Sequence, residues 1–157
     1  METDYSFEGI SRWLLSQQAE YLVELEASIA SDLVSNIFGY NVMQLGSCYS
    51  TGLMNSSRIS NRILVSLEKK LAPLGDLCSE AEALPFGGAT IDLVILPHVI
   101  EFAQDPAGIL RETERVLIAE GYLIVFGFNP WSFFGVTSMF KRWQTAAPWN
   151  CSFISSS

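Results

Sequence analysis

The chain has 157 residues, enough for one domain with a real core and too few for two. Hydrophobic residues make up 49% and charged ones 17%, which excludes a disordered tail and points to a compact globule. A formal net charge of −8 excludes a general nucleic-acid binder, because neutralising phosphates takes clustered Lys and Arg. A start carrying Glu2 and Asp4, with no apolar stretch behind a basic one, gives no targeting signal. No run approaches the ~18 apolar residues of a membrane span. Cys48, Cys78 and Cys151 are widely spaced and have only His98 as a histidine companion, so no metal site is expected. Reduced thiols in a cytoplasmic protein are the simpler reading.

Residues 1–38 read as a helical region. Phe7, Ile10, Leu14, Tyr21, Leu25, Ile29 and Leu33 recur at helical steps and form the predicted inward stripe. Glu20, Glu24, Glu26 and Asp32 fall mostly between them, and Gly39 is the expected C-cap. Residues 39–128 then alternate short apolar runs with helical patterns. Candidate strands are Asn41–Gly46, Arg62–Leu67, Pro73–Cys78, Ile91–Pro97 and Gly121–Phe128. Runs rich in branched apolar residues suit buried parallel strands.

Between the last two strands lies the best helix signal. Asp105 is a good N-cap and Pro106 suits the first turn. Ile109, Leu110, Thr113, Val116 and Leu117 make its inward face, and Gly121 is placed just past its end. Strand, helix, strand in this order predicts an α/β, Rossmann-like parallel sheet of about five strands with flanking helices and an N-terminal helical region. Residues 129–157 form an aromatic-rich tail. Its Asn129–Trp143 segment would wall an apolar or aromatic ligand, touch a membrane surface, or pack on sheet elements beyond this chain.

The stretch Ala81–Phe128 resembles the central block of the type 11 class I methyltransferases. The matching pieces are Leu84-Pro85-Phe86, Ile91-Asp92-Leu93-Val94, His98-Val99-Ile100-Glu101, Asp105-Pro106, Glu112–Leu117 and Gly121–Ile124, in the family's order. The resemblance implies binding of S-adenosyl-L-methionine and methyl transfer to an unidentified acceptor, and the aromatic Asn129–Trp143 segment would suit one that is small and apolar or aromatic. It also implies site residues. The family's glycine-rich cofactor loop corresponds to Gln44–Gly52, where Gly46 lands at the tight turn and Ser47 is small enough for close backbone approach. This loop departs from the family pattern, which has an acidic residue and further glycines. Glu68 is the available carboxylate for the ribose hydroxyls, and Glu80-Ala81 matches the family's adenine-binding pair. Pro97 and His98 end the fourth strand, where ligands bind in open α/β sheets.

Methyl transfer from a sulfonium asks the protein for position, exclusion of water and sometimes a base. His98 is the candidate base, with a pKa expected near working pH, and Glu101 would orient it or face water. A structural reading of His98, bonding across the strand ends, stands beside that one. No G-x-S-x-G, H-E-x-x-H or P-loop pattern is present, which disfavours hydrolase and P-loop chemistry, and the missing G-x-G-x-x-G disfavours an NAD enzyme. The alternative is a methyltransferase-like scaffold without turnover that acts by protein interaction. The family's sixth and seventh strands have no counterpart after Trp143. A truncated sheet is therefore expected, with an exposed fifth-strand edge through which the chain could self-associate.

Overall fold

A computed structural model describes residues 19–46, 51–67 and 75–128 of the chain. Their elements run in the order α1 (Glu20–Val34), β1 (Asn41–Leu45), a 3-10 turn (Thr51–Met54), β2 (Asn61–Ser66), β3 (Leu77–Cys78), β4 (Ile91–Pro97), a second 3-10 turn (Ile100–Phe102), α2 (Pro106–Val116) and β5 (Leu117–Phe126). The five strands form one sheet in the order β3-β2-β1-β4-β5. Every pairing is parallel, as the unbroken apolar runs predict.

Side chains alternate across the sheet and feed two cores. Met43, Leu45, Val94 and Leu96 point to the side of Ile109 and Val116 on α2. Val42, Leu93 and Ile95 point to the side of Ala30 and Val34 on α1. The α2 helix starts where the sequence places it: Asp105 accepts the Gly108 N–H at 2.9 Å, satisfying one of the first-turn donors. Ile109, Thr113 and Val116 are buried, but Leu110 stays largely exposed.

Three expectations are corrected. The stripe Tyr21, Leu25, Ile29 and Leu33 faces outward; α1 buries Glu26, Ala30 and Val34 instead, one residue step around the helix. Gly39 is no helix cap, because α1 ends at Val34 with Ser35 capping. A Cβ on Gly39 would lie 2.4 Å from the Asp92 carboxyl carbon. The bare glycine lets Asp92 accept the N–H groups of Tyr40 and Asn41 at 2.9 and 2.8 Å. Gly121 does not follow a helix end either. α2 passes straight into β5 at Leu117, and Ile118–Gly121 bulge out opposite Asp92 while Ile91 pairs Leu117 and Leu93 pairs Tyr122. Glu120 takes a positive φ of 66° in this bulge.

Among the described residues the outer edge of β5 pairs with no other strand, and Tyr122, Leu123 and Val125 are exposed along it. This is the edge to which the expectation of self-association refers. No described helix is long and apolar enough to cross a membrane.

Candidate active site

The strand order fixes where a ligand crevice can open. From β1 the chain moves outward to β2 and β3, then jumps back across β1 to lay down β4 and β5. The crossovers leaving β1 and β4 therefore diverge, and the carboxyl ends of these two strands frame a cleft. Gly46 closes β1 there. Its φ is +78°, its N–H donates to the Val65 carbonyl at 2.8 Å, and a Cβ would come within 2.9 Å of a Val99 methyl carbon. Both the backbone conformation and the lack of room demand glycine.

His98 closes β4 on the other side of the same cleft. It is 1% exposed, takes a positive φ of 53°, and is held on every side. Its backbone N–H donates to the Phe126 carbonyl at 2.9 Å, and its ring stacks on Phe128 with centroids 4.4 Å apart. Nε2 lies 2.8 Å from Glu26 Oε1 on α1, and Nδ1 lies 3.2 Å from Glu101 Oε2 on the turn after β4. Glu101 Oε1 in turn accepts the Phe128 N–H.

These contacts set the charge of the ring. Burial alone would push the His98 pKa down, but hydrogen bonds to Glu101 and Glu26, reinforced by their charges, overcome it and raise the pKa to about 9. At neutral pH the ring is an imidazolium donating from both nitrogens. This lies above the value near working pH expected for a general base, and an imidazolium has no lone pair with which to take a proton.

The remaining predicted residues divide by location. Pro97 is buried at the end of β4 opposite Phe126. Glu80 is exposed just beyond β3, where its backbone forms an isolated bridge with Ala83. Ala81 is buried in the core on the α2 side. Ser47 and Glu68 lie outside the described residues, as does Asn129–Trp143.

The structure thus brings Gly46, Pro97 and His98 to the carboxyl ends of β1 and β4, with Glu80 beyond the carboxyl end of β3, two strands from β1. Glu26 is the member that the sequence reading missed. Its one visible signal is spacing: it stands four and eight residues before Ala30 and Val34, in phase with the face that packs.

Residues 45–125 match the methyltransferase domain family. The chain belongs to that family. A methyltransferase domain also accounts for the parallel sheet and for a cleft framed by Gly46 and His98. Over 116 residues the chain is 27% identical to the uncharacterised protein YafS of Escherichia coli strain K12, which covers 74% of this chain. The chain spans about half of that relative, 47% of its length. Among solved structures, an S-adenosylmethionine-dependent methyltransferase of Thermotoga maritima, described as a possible histamine N-methyltransferase, superposes with a TM-score of 0.71. The identity is 20%, and the match covers 96% of this chain and 75% of that one. An S-adenosylmethionine-dependent methyltransferase from Aquifex aeolicus gives a TM-score of 0.51 at 16% identity, covering 63% of this chain and 62% of its own. Likenesses this remote in sequence speak for the fold.

Proposed function

We propose that this methyltransferase domain binds S-adenosyl-L-methionine in the cleft between β1 and β4 and takes part in methyl transfer to a small acceptor. The observation that carries this reading is the Gly46 turn. A left-handed glycine with no space for a side chain, at the end of β1 and on the switch-point cleft, is the backbone that close approach of a cofactor requires. The bound cofactor supplies an electrophilic methyl group on a sulfonium.

The chain's own residues supply position. Gly46 and Ser47 would let the main chain lie against the cofactor, and Glu68 would take the ribose hydroxyls. Glu80 would accept the exocyclic amine of adenine, with the Ala81 N–H beside it. Pro97 and His98, at the end of β4, would wall the cofactor's cleft. His98, charged at neutral pH, serves there as a fixed donor of hydrogen bonds and not as a base. The acceptor's lone pair would attack the methyl carbon as the carbon–sulfur bond breaks toward sulfur, and an acceptor proton would leave to solvent.

Calorimetric titration with S-adenosylhomocysteine, with NAD and ATP as controls, tests the reading. Micromolar binding is expected, weakened at least tenfold in Glu80→Ala. A folded chain that binds none of the three would refute it and favour an inactive scaffold. A thermal shift gives an independent check, since ligand at 100 times its Kd stabilises the fold by about 2.7 kcal/mol.

A further inference from the structure

Glu112 and Arg115 stand near the end of α2 and reach across to main-chain groups of residues 84–86. Glu112 Oε1 accepts the Leu84 N–H at 2.8 Å. Arg115 donates to the Leu84 carbonyl at 3.2 Å and to the Phe86 carbonyl at 3.0 Å. The two side chains also fasten each other: Arg115 Nε lies 2.8 Å from Glu112 Oε2, and Nη2 lies 2.6 Å from Oε1. Stability is a poor reason for such a clamp. The Arg115 side chain is 43% exposed, and ion pairs in contact with water add little to folding.

Its effect is on what the clamped segment carries. Residues 79–83 form a turn that is tied within itself. The Ala83 N–H donates to the Glu80 carbonyl at 3.3 Å, and Ser79 Oγ lies 2.9 Å from the Ala83 carbonyl oxygen. A turn closed in this way moves as a unit, so its orientation is set by how its two ends are held. The first end leaves β3, a strand of two residues at the edge of the sheet, shorter than strands usually are. The second end is Leu84, held by Glu112 and Arg115. Burial of Ala81 and Leu84 on the α2 side keeps the turn down, but burial is non-directional. The three directed bonds to Leu84 and Phe86 set its angle.

We propose, on the basis of the cofactor reading above, that Glu112 and Arg115 are positioning residues for base recognition: by fixing residues 84–86 to α2 they hold Glu80 where it accepts the exocyclic amine of adenine. Arg115 contributes a planar fork that spans two carbonyls, and Glu112 keeps that fork in place.

Calorimetry would compare S-adenosylhomocysteine with S-inosylhomocysteine, whose base presents an acceptor and a donor where adenine presents a donor and an acceptor. The wild-type chain should prefer the adenine form at least tenfold. Arg115→Ala should weaken S-adenosylhomocysteine at least fivefold and leave S-inosylhomocysteine within twofold, so that the preference collapses. Arg115→Lys keeps the charge but reaches one carbonyl at a time. It should show the same loss in smaller measure, and it replaces Arg115→Ala if that variant does not fold. In a Glu80→Ala background either substitution should cost less than twofold more, because the residue being positioned is already gone.

A clamp that only stabilises the fold would weaken both nucleosides alike and add its loss in full to that of Glu80→Ala. Either result overturns the proposal, as does unchanged S-adenosylhomocysteine affinity in Arg115→Ala or a wild-type chain that binds both nucleosides equally. In all of these cases wild-type binding of S-adenosylhomocysteine leaves the methyltransferase reading intact. A folded wild-type chain that binds neither nucleoside refutes that reading, and the positioning role with it.

Discussion

The two faces of the sheet are stabilised by different physics. On the α2 side Ile109 and Val116 meet Val94 and Leu96 in an apolar layer, and the helix is fixed locally by the Asp105 cap. On the α1 side Ala30 and Val34 pack on the sheet, and the helix is tied to the end of β4 by the Glu26–His98 pair, which spans 72 residues of sequence. The first face is set by burial, which is non-directional and indifferent to pH. The second depends on one directed, buried charge pair, so it is sensitive to whatever neutralises that pair. A methyltransferase domain built this way has a pH-insensitive back and a charge-locked front over its cleft.

The largest expected effect breaks the front. His98→Ala removes the buried ring that pairs with both Glu26 and Glu101 and should cost about 3–5 kcal/mol in urea denaturation. Ile109→Ala on the back should cost about 2–5 kcal/mol through lost burial and a cavity. The comparison lies in the response to pH: the Ile109→Ala penalty should be the same at pH 7 and 9.5, and the His98→Ala penalty should shrink. Equal penalties for His98→Ala at both pH values would refute the contrast.

A smaller effect sharpens it in the wild-type chain. His98 has a folded pKa of about 9, above its ordinary value of 6.5. Its contribution is therefore fully present below pH 6.5 and is lost as pH rises through 9, a decline of about 3 kcal/mol in all. Urea midpoints followed from pH 6 to 10 should fall over this window, and the fall should be absent in His98→Ala. The smallest effect is local to the back: Asp105→Ala removes the α2 cap and should cost about 1 kcal/mol, without altering affinity for S-adenosylhomocysteine.

How far each face was legible in the sequence follows the same division. Asp105, Pro106 and the spacing of Ile109, Thr113 and Val116 specify α2 through neighbours within a few residues, and the structure agrees with them. The run Ile91–Pro97 is fully buried, as its composition requires of a central parallel strand. The Gly46 turn was likewise readable, because a glycine that ends an apolar run before a crossover has few other reasons to be there.

On α1 the reading failed because hydrophobic periodicity assumes that apolar residues set the buried face. Here Glu26 is drawn inward by a partner 72 residues away, and the helix turns Tyr21, Leu25, Ile29 and Leu33 outward with it. Gly39 was misread for a related reason, since its role is set by Asp92 and not by the helix before it. The direct passage from α2 to β5 was missed because Gly121, which looks like a helix stop, serves a bulge within the strand. Each failure traces to a contact that local sequence does not contain.

The placement of β1 has a consequence for how the chain is made. β1 is buried between β2 and β4, and its register with β4 joins Val42 to Leu93. During synthesis, β1 leaves the ribosome well before its second neighbour exists. At about 5–20 residues per second the apolar strand waits roughly 3–10 s with one side unpaired. The same interval precedes the Asp92 bonds to Tyr40 and Asn41. The nascent chain is therefore most exposed to misassociation and chaperone capture until residue 97 has emerged, and anything that stalls translation between β2 and β4 prolongs that exposure.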